Sequence, residues 1–284
     1  MASVEEPQDM EVDRRAESEE SGDDEGKKKG LNGESDPQQG TGAKEESPVD
    51  METIILDPEA EDVDLIHCRI GRIEGLEVLQ KAKILSLRQN LIKQIENLEE
   101  LGSLNELDLY DNQIKKIENL QALSELEILD ISFNILRRME GLERLTKLRK
   151  LFLMNNKISK IESLGHQQQL EMLELGSNRI RVIENIDNLS HLDSLFLGTN
   201  KITKLQNLDG LTNLTVLSIQ SNRITRIEGL QCLMNLRELY LSHNGIEVIE
   251  GLENNQVLGR SSRHCWRTNA EKKRLRTKII RNGP

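Results

Sequence analysis

Apolar and polar positions repeat along this chain with a period of 22 residues. One unit reads Leu107, Leu109, Asn112, Ile114, Ile117, Leu120, Leu123. The next reads Leu129, Ile131, Asn134, Leu136, Met139, Leu142, Leu145, and a later one Leu173, Leu175, Asn178, Ile180, Ile183, Ile186, Leu189. Each unit opens with Leu-x-Leu, an alternation of period two that predicts a short strand. After the Asn the apolar residues come three apart. That spacing predicts tight 3₁₀-like turns, since a helical return would need a longer unit. Asn90, Asn112, Asn134, Asn156, Asn178, Asn200, Asn222 and Asn244 keep the period without a slip. A weaker first unit (Val63, Leu65, Cys68, Ile70, Ile73, Leu76, Leu79) puts Cys68 in the Asn position, which gives nine units.

Units of this length, with Asn or Cys at that position, follow the leucine-rich-repeat pattern. The expected fold is an α/β leucine-rich-repeat solenoid with a parallel concave sheet and a convex side of 3₁₀ or simple turns. One unit cannot bury its apolar side alone, but stacked units share a Leu/Ile core. The eight Asn side chains are expected to point inward and form a ladder, their amides bonding backbone groups that the turn leaves unpaired. The recurring Ile-Glu-Asn or Ile-Glu-Gly, as in Ile117-Glu118-Asn119 and Ile227-Glu228-Gly229, places residues suited to positive φ in the return. Gln167 stands where other units carry Leu, and predicts a weak spot or an outward turn.

Charge and proline content divide the chain differently from its average of −11. Residues 1–62 carry 6 basic and 21 acidic side chains, and four of the five prolines lie there. Residues 63–259 carry 23 and 27, and residues 260–284 carry 9 basic residues and only Glu271. Three segments result: an acidic leader (1–59), the solenoid (60–257) and a basic non-repeat tail (258–284). Leader and tail are expected to be disordered, because they bury too little apolar surface to offset chain entropy. Ser18, Ser21 and Ser35 beside acidic residues, and Ser47 before Pro48, are candidate phosphorylation sites in the leader.

Aromatic residues are scarce, with one Trp, two Tyr and three Phe. The residue between the two strand leucines should face the concave surface. Through the nine units it reads Asp64, Ser86, Asp108, Asp130, Phe152, Glu174, Phe196, Ser218, Tyr240. Tyr110 and Phe133 lie just beyond, in variable positions. Rings exposed on a sheet invite a partner and are favoured interface anchors. Asp108, Asp130, Phe152, Glu174, Phe196 and Tyr240 are therefore the expected partner-binding residues. Their acidic and apolar character suits a basic, apolar surface and not nucleic acid.

Catalytic signatures are missing. His67-Cys68 and His264-Cys265 lack metal-finger spacing, and no phosphate loop, GxSxG or HExxH occurs. No cofactor, metal or enzymatic activity is expected. No run approaches a membrane span, the first residues lack a signal peptide's apolar stretch, and three distant cysteines fit a reducing compartment. Lys272-Lys273-Arg274-Leu275-Arg276 is a basic run of the kind used for nuclear import or anionic surfaces, or simply a solvated tail.

The Ile-Glu-Asn/Gly units, their strand residues, and the leader segments Glu11-Val12-Asp13-Arg14-Arg15 and Ser18-Glu19-Glu20-Ser21 together resemble the leucine-rich-repeat regulatory subunit 7 family of protein phosphatase 1. The resemblance implies a non-enzymatic nuclear protein, with the cytoplasm as a second location, that binds the phosphatase catalytic subunit on its concave face. It assigns this role to Asp130, Phe152, Glu174 and Phe196. A general scaffold, cytoskeletal, ciliary or splicing-associated, is the alternative. The pattern departs from the family after Leu252, where the tail reads as an alternatively spliced, shortened ending. Solenoids need capped ends. Residues 236–258 are therefore expected to fray unless Trp266 and Leu275 cover them, and hydrogen exchange as slow there as in the middle units would contradict fraying.

Overall fold

The computed structural model describes residues 54–258. The serines proposed for phosphorylation and the basic run at 272–276 lie outside the described residues. Nine three-residue strands follow the period: β1 (Asp62–Asp64), β2 (Ile84–Ser86), β3 (Glu106–Asp108), β4 (Ile128–Asp130), β5 (Lys150–Phe152), β6 (Met172–Glu174), β7 (Ser194–Phe196), β8 (Val216–Ser218) and β9 (Glu238–Tyr240). They form one parallel sheet in chain order. Each strand pairs with the next at a shift of one unit, as in Leu107↔Leu129 and Leu129↔Leu151. The fold is a parallel β-solenoid. Its returns hold no helix among the described residues. They run as consecutive turns, with i+3 to i hydrogen bonds such as Leu101 N to Leu98 O and Leu104 N to Leu101 O. Leu and Ile from every unit interlock into one core from Val63 to Ile246, and most are fully shielded from water.

Each repeated Asn ties its turn to the one before. Asn134 is typical. Its Nδ2 is shared among Leu109 O of the preceding turn (3.0 Å), Ile131 O (3.2 Å) and Ser132 O (3.1 Å). Its Oδ1 accepts from Ile114 N, again in the preceding turn, at 2.8 Å. All eight Asn residues repeat this set, from Asn90 on Leu65 O and Ile70 N to Asn244 on Ile219 O and Ile224 N. The contacts are to backbone and not from one Asn to another. Cys68 shows the limit of the pattern. Among the described residues no preceding turn offers it a carbonyl, and it is exposed, its thiol 3.5 Å from Ile66 O.

Two columns of residues adopt the left-handed conformation. One lies in the return, from Gly75 to Gly251, and is Asn or Gly in every unit except one, where Ser163 takes the place at φ 62°. Where it is Asn, the side chain donates to an Ile carbonyl one turn back, as Asn119 does to Ile95 O at 2.7 Å. At Gly141, Gly229 and Gly251 the backbone comes closer, and a Cβ on Gly141 would meet Ile117 O at 2.4 Å. The second column immediately precedes the ladder Asn: His67, Gln89, Asp111, Phe133, Asn155, Ser177, Thr199, Ser221 and His243, all at φ between 54° and 59°. It contains no Gly. The parallel ladder imposes this conformation, since each of these amides except the last donates across to the next turn, as Phe133 N does to Met154 O.

Gln167 does not turn outward. It is fully buried in the Leu position, where Nε2 donates to Leu142 O at 2.7 Å and Oε1 finds no partner. Asn255 repeats the arrangement 88 residues on, donating to Leu230 O and Leu233 O with Oδ1 unpaired. Both amides fit because an extra donor reaches a carbonyl that already accepts a turn bond.

These contacts set opposite expectations for two substitutions. Asn178→Ala orphans buried backbone groups and should lower stability by about 2–4 kcal/mol. Gln167→Leu removes an unpaired buried carbonyl oxygen and should raise it by about 1 kcal/mol. Urea unfolding midpoints at constant slope would show both.

Candidate functional site

Strand alternation sends the middle residue of each strand into the core and the first and third to the open face of the sheet. Leu107 and Leu109 are fully buried, whereas the Asp108 side chain keeps 13% of its surface exposed. The in-register pairing sets the third residues side by side in the order Asp108, Asp130, Phe152, Glu174, Phe196 across β3–β7. At about 4.8 Å per strand this line is about 19 Å long. Tyr240 stands apart on β9, separated from Phe196 by Ser218, which is buried. The Tyr240 hydroxyl donates to Glu238 at 2.7 Å. The eighteen first and third strand positions carry seven carboxylates and a single cation, Lys150.

These carboxylates do not simply sit in water. Asp108 Oδ1 accepts from Tyr110 N at 3.0 Å, Asp130 Oδ1 from Ser132 N at 2.8 Å, and Glu174 Oε1 from Gly176 N at 2.7 Å. Each folds back onto the amide two residues ahead. Gly176 makes room for this, because a Cβ there would lie 2.6 Å from Glu174 Oε1. Gly198 does the same for the side chain of Gln220. Burial pushes the Glu174 carboxyl up from its ordinary 4.5 to about 7, against the Gly176 hydrogen bond and with help from the charge of Asp130. Burial raises Asp130 as well, opposed by its Ser132 bonds. Phe152 and Phe196 flank Glu174, both half-buried. The line thus offers two ring faces with a poorly hydrated acid between them.

A second cluster lies beside the line. Arg88 Nη1 donates to Asp108 Oδ2 at 2.9 Å, and its guanidinium lies 4.2 Å from the centre of the Tyr110 ring. Tyr110 in turn packs on Phe133, with ring centres 4.8 Å apart. Arg88 is the residue that the sequence reading missed. The signal was available, because Arg88 and Tyr110 lie one period apart and Phe133 one period and one residue further. This stack neutralises Asp108, leaving Asp130 and Glu174 without a salt bridge among the described residues. Among those residues no cluster of His, Cys, Asp or Glu is placed to hold a metal ion, and no helix is long and apolar enough to cross a membrane.

Comparison with known proteins places this geometry. The family described as Leucine Rich repeats (2 copies) matches residues 102–144, 124–166, 168–210 and 212–254. Protein phosphatase 1 regulatory subunit 7 of Danio rerio is 76% identical over 92 residues, covering 32% of this chain and 27% of that protein. The Homo sapiens protein of the same name is 69% identical over 100 residues, covering 30% and 27%. The chain therefore spans about a quarter of the length of the curated relatives it matches. Among solved structures, internalin C2 of Listeria monocytogenes superposes with a TM-score of 0.61 at 30% identity, covering 64% of this chain and 80% of that one. A second Listeria internalin gives 0.58 at 27% identity, covering 67% and 63%.

The buried acid makes stability depend on pH. Between about 4.5 and about 7 the folded chain keeps a proton on Glu174 that the unfolded chain has released. The folded state then binds more protons, so stability falls as pH rises through this window and levels off above it. Glu174→Gln should flatten that fall in melting temperatures taken across the range. A slope unchanged by the substitution would show that the acid is not desolvated.

Proposed function

On the premise that this chain belongs to the leucine-rich-repeat family, we propose that it is a non-enzymatic regulatory subunit of protein phosphatase 1. In this reading the open sheet face holds the phosphatase catalytic subunit and controls its activity or assembly. The observation that carries the reading is the line Asp130, Phe152, Glu174, Phe196. The solenoid returns its rings to this one face, although the core is built without aromatics. The named relatives support the choice of partner over their matched stretches.

The physical reasoning concerns what the face can grip. Two half-buried rings supply apolar area, and truncating such anchors commonly costs an interface more than 2 kcal/mol. The acid between them selects against a partner that brings another negative charge and favours one that brings a hydrogen-bond donor or a cation. Nine strands span about 38 Å, the footprint of a protein and not of a small ligand. The nucleus is the proposed location, and modification of the leader serines is a further part of the proposal.

Phe152→Ala and Phe196→Ala should each weaken capture of the phosphatase 1 catalytic subunit about 30-fold, the ratio that 2 kcal/mol represents. Titration calorimetry or a quantitative pull-down measures this. Undiminished binding by both variants, or no binding by the unaltered chain, would favour a general scaffold.

A further inference from the structure

Charge on the open sheet face is unbalanced, and the same chain holds the opposite charge. Its first and third strand positions carry seven carboxylates against Lys150, and Arg88 beside them pairs with Asp108 alone. Residues 260–284 carry nine cations against Glu271. We propose that this chain's own segment 259–284 docks on the acidic, phenylalanine-bearing face of the sheet and competes there with outside ligands. The proposal concerns the face already described but stands without the phosphatase reading.

Position and length permit it. Leu258 occupies the place that Leu236 holds one period earlier, two residues before β9. The described chain therefore ends beside the sheet and not on the return side. Eight residues separate Leu258 from Trp266. Extended, they span up to about 26–29 Å. Leu258 lies one turn beyond β9, so back to β5 is five strand spacings, about 24 Å. Trp266 can therefore reach Phe196 and Phe152, and the cations at 272–276 follow within reach of Glu174 and Asp130. Those two acids are the ones that Arg88 leaves unneutralised, since it pairs with Asp108. An aromatic followed by cations matches Phe196 followed by the acids Glu174 and Asp130 in kind and in order of distance from β9.

The contact does not need to be strong. A tethered segment sees its site at an effective concentration of about 1 mM. An intrinsic dissociation constant of about 0.1 mM would then keep the face covered about nine-tenths of the time. Apparent affinity for an outside ligand falls by the fraction left open, about tenfold. Part of this grip is electrostatic between partly exposed groups, so salt weakens it.

Trp266 is the chain's only tryptophan, which makes its emission a direct report on the segment. In the full chain at low salt, emission should be blue-shifted from that of free N-acetyltryptophanamide and independent of protein concentration. It should move to the free value on Glu174→Lys with Phe196→Ala, on replacing Lys272, Lys273, Arg274 and Arg276 with Glu, or in molar sodium chloride. The charge-reversed full chain should also bind a dye-labelled synthetic peptide of residues 259–284 about tenfold more tightly than the unaltered chain does. Emission already at the free value overturns the proposal. A shift that grows with concentration assigns the segment to a second copy and overturns it too. A shift that survives the face substitutions places Trp266 elsewhere, against the last turn, with the same consequence. Equal peptide affinity for the two chains overturns the competition.

Discussion

One buried amide per turn holds this solenoid together. Each ladder Asn reaches both a carbonyl and an amide of the preceding turn, as Asn178 does with Leu153 O and Ile158 N. No apolar side chain could replace it, because those backbone groups lie inside the core and would be left unpaired. The reach of an Asn side chain is fixed, so the separation between successive turns is fixed. The register of every strand pair follows, and with it the shift of one period seen in all eight pairings. The Leu and Ile layers supply the driving force, but they would tolerate sliding that the amides do not.

Fixed register is what turns single residues into a surface. A side chain at the third position of one strand has a neighbour from the corresponding position of the next, whatever the sequence distance between them. Asp130, Phe152, Glu174 and Phe196 become a line only because of this. Packing them side by side also changes their chemistry. Glu174, between two rings and folded onto Gly176 N, loses hydration that an isolated surface carboxylate would keep. Along the sheet margin the same register aligns charges. Arg149 meets Glu171 at 2.7 Å and Glu127 at 3.6 Å, one turn on either side. Such exposed pairs add little stability each, but they reward the same register that the amides set.

Much of this was legible from the sequence because the period is strict. The apolar spacing gave the strand, the turns and the core positions, and the Ile-Glu-Asn/Gly motif gave one of the two left-handed columns. The second column was not legible. Its residues include Gln89, Phe133 and Thr199 beside Asp111 and Asn155, and no Gly, so no shared local preference for positive φ marks the column. The conformation is forced by the ladder bonds on either side. Gln167 was misread for a related reason. A polar residue in a Leu position looks like a defect until a carbonyl one turn back is found within its reach. The stack of Arg88, Tyr110 and Phe133 spans three turns, and it requires knowing how residues one period apart, and one period plus one, face each other.

The sequence by itself determined the repeat, the count of turns and which positions enter the core, because burial patterning is periodic and each unit carries the whole of it. It also determined where charge lies along the chain. Only the tertiary structure decided which acids are neutralised and which are not. Asp108 is paired by Arg88, whereas Asp130 and Glu174 are desolvated without a salt bridge among the described residues. Pairing and desolvation depend on distances between neighbouring turns and on the space left by residues such as Gly176, and neither is a property of one unit's sequence.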